Sequence, residues 1–192
     1  MTPVLNSVLL VPPASEPVSL ADAKAWLRID TSAEDNLVAG LIPAARALVE
    51  AATRRLLMTQ TWRLSFDDWP PGAVAMPLAP VASVAAVRVH DAGGVAQVID
   101  SATWRLFETP DQARIVFSAP PPTPGRSVSG IEIDVVAGYG AANDVPQALR
   151  QAMLMLIARW FESRGDGLDT NVNQLPVSVA ALIAPFRRPR LT

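Results

Sequence analysis

The 192 residues allow one domain of ordinary size, or a helical domain carrying a sizeable insertion; with half of them apolar and 18% charged, they fall outside the disordered class. A net charge of -2 supplies no global attraction for nucleic acid, and the lack of cysteine excludes disulfides, thiolate catalysis and Cys-based zinc sites. The N-terminus has no basic region and is interrupted by Pro3, Pro12 and Pro13, so no signal peptide is predicted; no apolar run approaches the roughly 20 residues of a membrane helix, which predicts a soluble chain.

After the proline-rich lead, Ser19 followed by Asp22 offers an N-cap with an acidic first turn, opening a helix through Ala23, Trp26, Leu27 and Ile29 that ends near Asp30. Thr31 or Ser32, with Glu34 and Asp35 behind, starts a second. Leu37, Leu41, Ile42, Ala45, Leu48, Val49, Ala52 and Leu56 follow at helical spacing, and Pro43 predicts a kink or weakened turn within one continuous helix. Arg46, Glu50, Arg54 and Arg55 lie off this stripe and read as a solvated or partner-facing side.

From about Thr59 the period changes to two, with Trp62, Leu64 and Phe66 alternating with polar residues. Further strands are predicted at Val81 to Val89, Val95 to Ile99, Trp104 to Phe107, Arg114 to Phe117 and Ile131 to Val136. Asp91-Ala92-Gly93-Gly94 reads as a hairpin turn, and Pro120, Pro121, Pro122, Pro124 and Gly125 as an exposed loop. Helix returns after Asn143, Asp144 and Pro146 and runs through Leu149, Met153, Leu156, Ile157, Trp160 and Phe161. A polar loop at 166–174 and short turns from Val177 to Ala184 lead to an aperiodic tail.

The predicted fold is α+β but mainly helical: a small antiparallel helical bundle with a β-sandwich-like or β-hairpin unit inserted between the second and third long helices, and an extended C-terminal tail. Residues 1–58 would form the N-terminal helices of the helical domain, 59–140 the inserted β unit, 141–184 the completing helices, and 185–192 the tail.

Candidate chemistry is sparse. His90 beside Asp91 has no second histidine for a zinc site and no serine in a G-x-S-x-G context, so it reads as a turn-capping or surface residue. Gly138-Tyr139-Gly140 lacks both phosphate-loop signatures and reads as a strand-to-helix connection. Neither the pair Asp67-Asp68 nor the loop acids Asp166 and Asp169 has the ligand spacing of a calcium loop. No catalytic residue, cofactor or metal site is assigned. Trp26, Trp62, Trp69, Trp104 and Trp160 are scattered in the manner of core or interface anchors. Arg187, Arg188 and Arg190 form the one concentrated basic patch, on a tail that is either a frayed terminus or a docking arm.

Two blocks carry a resemblance. Leu20-Ala21-Asp22-Ala23-Lys24-Ala25-Trp26-Leu27-Arg28-Ile29-Asp30, an acidic spacer, the helix from Ala44 to Leu56 and then Thr61-Trp62 resemble the head-tail connector (adaptor) proteins of long-tailed phages and gene transfer agents. Val145 to Ala152 through Trp160 to Arg164, and Leu175-Pro176 to Leu182 with Pro185-Phe186-Arg187, are similar to that family's later helix and ending. The resemblance implies a non-enzymatic virion protein of the neck, assembled in the bacterial cytoplasm, with no membrane contact. It implies a ring of copies, a dodecamer, between the portal protein and a tail-side stopper or tail terminator protein. DNA would pass through the lumen without sequence-specific contact.

By that analogy, subunit contacts are expected at Arg46, Glu50, Arg54 and Arg55, and portal contact at Phe186, Arg187, Arg188, Arg190 and Leu191. Three rivals stand beside this reading: a ligand- or carbohydrate-binding module using Trp62, Trp69 and Trp104, a hydrolase near His90, and another tail-completion protein.

Overall fold

The structure is a computed structural model that describes residues 5–109, 112–163 and 175–188. It divides into two units. One comprises Ala14–Met58 and Gly140–Thr192, the other Met1–Pro13 and Thr59–Tyr139.

The first unit is helical. Helix α1, Leu20–Leu27, begins at a complete capping box: Ser19 Oγ accepts the Asp22 N–H at 3.0 Å, and the Asp22 carboxylate accepts the Ser19 N–H at 3.3 Å. Arg28 ends it in the left-handed conformation (φ 58°). Helix α2, Asp35–Thr53, runs unbroken through Pro43, as the sequence predicts, but its N-cap is Glu34, two or three residues beyond the expected Ser32 or Thr31. Helix α3, Gln147–Glu162, follows Pro146, and helix α4, Val177–Ile183, ends in a 3-10 turn at Ala184–Phe186. The core joins Val38, Ile42, Ala45 and Val49 of α2 to Leu149, Met153, Leu156 and Ile157 of α3 and to Val179 and Ile183 of α4. Each of the valine, leucine, isoleucine and methionine side chains among them contributes about 1.5–3 kcal/mol by leaving water. No helix among the described residues is long and apolar enough to cross a membrane.

The second unit holds strands β1, Leu5–Val11; β2, Gln60–Phe66; β3, Val74–Ala75; β4, Val81–His90; β5, Ala96–Val98; β6, Trp104–Glu108; β7, Ala113–Phe117; and β8, Ile131–Ala137. They form a five-stranded antiparallel sheet in the order β1-β2-β8-β4-β5 and a three-stranded one in the order β3-β7-β6. One face of the larger sheet carries Leu64, Phe66, Val87, Val89, Ile131, Ile133 and Val135, all buried. Register explains the grouping, since Leu64 pairs with Ile133, Phe66 with Ile131 and Val87 with Ile133.

This corrects the expected fold. The protein is α+β but not mainly a helical bundle carrying a small β unit. The middle of the chain supplies seven strands in two sheets, and the segment read as a proline-rich lead supplies an eighth. Strand β1 pairs with β2 from Leu5↔Phe66 to Val11↔Thr61. The β unit is thus built from two separated stretches of chain and buries a core of its own.

Candidate assembly interface

Helix α2 is apolar around a wider arc than its core uses. Val38, Ile42, Ala45, Val49 and Thr53 are buried, whereas Leu37, expected in the core, is 43% exposed and Leu41 and Leu48 are half-buried. Helical geometry puts these leucines on one flank of the core stripe, from which Gly40, Ala44, Ala47 and Ala51 continue onto the side away from it, and this arc bears no charge.

Of the charges expected to face a partner, Arg46, Glu50 and Arg55 are engaged within the unit. Arg46 spans two carboxylates, with Nε 2.7 Å from Glu16 and a terminal nitrogen 3.0 Å from Glu50. Burial works against the Arg46 charge, but the two carboxylates outweigh it and hold its pKa above the ordinary value. Glu50 also accepts the Leu57 N–H at 2.8 Å. Burial nevertheless pushes its carboxyl above the usual range, because the Leu57 and Arg46 bonds only partly compensate. Arg54, exposed and left-handed (φ 56°), closes α2 by donating its N–H to the Glu50 carbonyl at 2.7 Å. Arg55 is buried, and its Nε donates to the Phe186 carbonyl at 2.7 Å.

That bond fixes the root of the tail, and the Arg188 N–H adds a 3.2 Å bond to the Thr53 carbonyl. Phe186 and Arg188 are thus half-buried against the end of α2, while Arg187 is exposed. Arg190 and Leu191 lie outside the described residues, as do Asp166 and Asp169.

The second face of the five-stranded sheet carries an ion network. Asp134 of β8 accepts two bonds from Arg63 of β2, at 2.7 and 3.0 Å, and one from Arg88 of β4 at 2.6 Å. Burial raises the pKa of Asp134, but the arginine bonds outweigh it and hold the carboxyl below the usual range. Glu132 lies 3.3 Å from Arg63 and 3.4 Å from His90 Nε2. His90 Nδ1 is 3.2 Å from the Gly94 carbonyl. His90 is therefore buried and not on the surface, and its ring contacts the turn of its own hairpin, the turn-capping place that the sequence pointed to. It stands beside no serine or second histidine in these contacts.

Asp67 accepts the Ser129 N–H and Asp68 the Trp69 N–H, so the acidic pair organises loops, and no metal-holding group of histidine and carboxylates occurs among the described residues. Trp62, Trp69 and Trp104 are half-buried: Trp69 packs edge-on against Phe117 at 5.0 Å with its indole N–H on the Pro122 carbonyl, while Trp62 and Trp104 belong to different sheets. Trp104 is the cross-strand partner of the same Phe117, so Trp69 and Trp104 neighbour one ring while Trp62 stands apart in the other sheet, and the three are not gathered on one sheet face. Trp26 is the exception, 46% exposed on α1 between a hollow of about 460 Å³ reaching Gln147, Arg150 and Leu154 and another reaching Met155, Ala158 and Val179. Scattered spacing in the sequence gave no way to single it out.

Residues 17–92 match the family described as phage gp6-like head-tail connector protein. No curated protein matches the chain. Among solved structures, a chain in the neck of an empty gene transfer agent particle, computed with C6 symmetry, is 33% identical with a TM-score of 0.80; the alignment covers 98% of this chain and 97% of that one. A chain in the virion of a native gene transfer agent particle (32% identity, TM-score 0.79) and one in a native neck computed with C12 symmetry (30%, 0.78) match over the same 98% and 97%. With an apolar helix face, an anchored basic tail and relatives of this identity matched almost end to end, the chain belongs to the head-tail connector family, structural components of the particle neck.

Proposed function

We propose that this connector assembles as a closed ring of copies, a dodecamer, joining the portal to a tail-side stopper or terminator protein and leaving a channel for DNA. The observation that carries the proposal is the end-to-end match, at 30% identity, to a chain of a neck computed with C12 symmetry. A cyclic ring requires each copy to present two different surfaces that fit one another. The uncharged face of α2 from Leu37 to Ala51 supplies one, with Arg54 at its end; Trp26 and its flanking hollows supply an aromatic anchor for the other. Arg46, Glu50 and Arg55 serve this interface by holding the end of α2 in shape. The tail from Phe186 to Leu191 is the portal-docking arm, its root fixed by Arg55 and its basic residues presented to the portal.

Electron microscopy of particles produced with and without the chain tests the reading. Heads lacking it should fail to join tails, and density for a ring of twelve copies should lie between portal and tail when it is present. Normal tail joining in its absence would overturn the proposal. Deleting residues 189–192 separately tests the arm: with the Arg55–Phe186 and Arg188–Thr53 bonds left in place, portal pull-down should weaken while the melting temperature of the remaining chain changes little.

A further inference from the structure

The five-stranded sheet ends in two edges of unusual character. From Asn6 to Val11 every residue of β1 is exposed, on both faces of the strand, with Val8 at 49% and Val11 at 56%. Neither proline nor a charged residue interrupts Leu5–Val11. Edge strands of soluble proteins are ordinarily blunted by such residues, because a bare edge recruits another strand. At the opposite end, β5 is likewise exposed throughout and uncharged, and Val98 is 63% exposed. The smaller sheet differs: the β6 edge carries exposed Arg105 and Glu108, and β3 is two residues long.

We infer that β1 of one copy docks along the β5 edge of the next, continuing the five-stranded sheet from subunit to subunit. This rests on the ring proposed above, whose symmetry selects the occupant. Pairing β1 with β1 would place a twofold axis between copies and close a dimer, whereas a cyclic ring joins unlike edges. Four successive antiparallel pairings leave β1 and β5 running in the same direction, so copies standing side by side pair these strands in parallel. Their faces agree as well. Val8 pairs with Arg63 and Val98 with Arg88, so both valines lie on the ion-network side of the sheet and meet on one face of the junction. The bare valine and leucine side chains of β1 are then covered in the ring, and its outward N–H and C=O groups find partners.

The chain contains no cysteine, so engineered thiols report without background. Particles carrying V8C together with V98C, oxidised after assembly, should give a ladder of this chain extending beyond the dimer, and either single variant should give none. A ring visible in the neck without the ladder overturns the inference while leaving the ring intact; absence of the chain from the neck overturns the ring itself. Dimers from V8C alone, or linkage of the thiol that V8C introduces to a different particle protein, also overturn it. As a second measurement, Leu10→Lys, at a 40% exposed position, should leave the melting temperature of the free chain unchanged and remove it from the neck. Wild-type neck occupancy of that variant argues against strand docking at β1.

Discussion

Arg55 and Phe186 stand 131 positions apart, yet the guanidinium of one donates to the backbone carbonyl of the other at 2.7 Å. The contact makes the last described turn of the chain part of the α2 terminus, so the tail leaves from a fixed point. Arg55→Ala removes a buried donor and leaves a carbonyl to be satisfied by water. It should cost about 1–3 kcal/mol of stability and expose the segment after Ile183 to proteolysis. Thermal melting combined with limited proteolysis checks this; unchanged cleavage of the tail would show that Arg55 does not anchor it.

Arg46 and Arg54 are eight residues apart on one helix, and the structure assigns them different work. Arg46 bridges Glu16 and Glu50 within the unit, and Arg54 is exposed at the helix end. Reversing Arg46 to Glu sets three carboxylates together and should destabilise the free chain by about 2–4 kcal/mol. Arg54→Glu should alter melting by less than about 0.5 kcal/mol while reducing ring assembly. Denaturant titration and negative-stain counting of tailed particles separate the two effects, and equal melting losses would refute the division.

What the sequence revealed was local. The Ser19–Asp22 cap, the passage of α2 through Pro43 and the hairpin at Asp91–Gly94 are set by residues within a few positions of one another, and each is found in the structure. Strand β1 was missed because it carries no alternation: with both faces exposed, Leu5–Val11 has no polar-apolar period to detect, and its partner β2 begins some 50 positions later. The internal partners of the α2 charges are likewise out of reach of local spacing. The spacing of these charges marks them as off the stripe, but Glu16 and the Leu57 N–H that engage Arg46 and Glu50 arrive through the fold. The apolar surplus of α2 is visible in its leucines, but their helical spacing alone does not say how many of them the core accepts.

Asp134 sets the acid limit of the β unit. Its folded pKa lies below the unfolded value of about 4, so the stability it contributes is complete above that value and is lost as pH falls through the lower folded pKa. Asp134→Asn leaves Arg63 and Arg88 facing each other across β8 and should cost about 1–3 kcal/mol at neutral pH. The cost should shrink on acidification, as the wild-type carboxylate is itself protonated. Glu50 has the opposite sign: its raised folded pKa makes its contribution complete below the unfolded value and diminishing as pH rises through the folded one. Melting curves of wild type, Asp134→Asn and Glu50→Gln across acid to neutral pH should show these two differences sloping in opposite directions.

Gly125 is fixed by backbone approach. Its N–H donates to the His90 carbonyl at 2.9 Å, and a Cβ at this position would lie 2.3 Å from the Ala92 nitrogen and 2.7 Å from the Asp91 carbonyl carbon. Main-chain atoms of a hairpin cannot swing aside as a flexible side chain would. Gly125→Ala must therefore separate the proline loop from the β4–β5 hairpin, at a cost of about 1–3 kcal/mol. Gly40 on α2 provides the contrast, since nothing lies within 4 Å of its added methyl. Gly40→Ala should raise the stability of the free chain by up to about 1 kcal/mol through helix propensity. Because the same methyl would stand on the proposed ring face, its effect on neck assembly, measured beside the melting gain, reports how closely a neighbouring copy approaches α2.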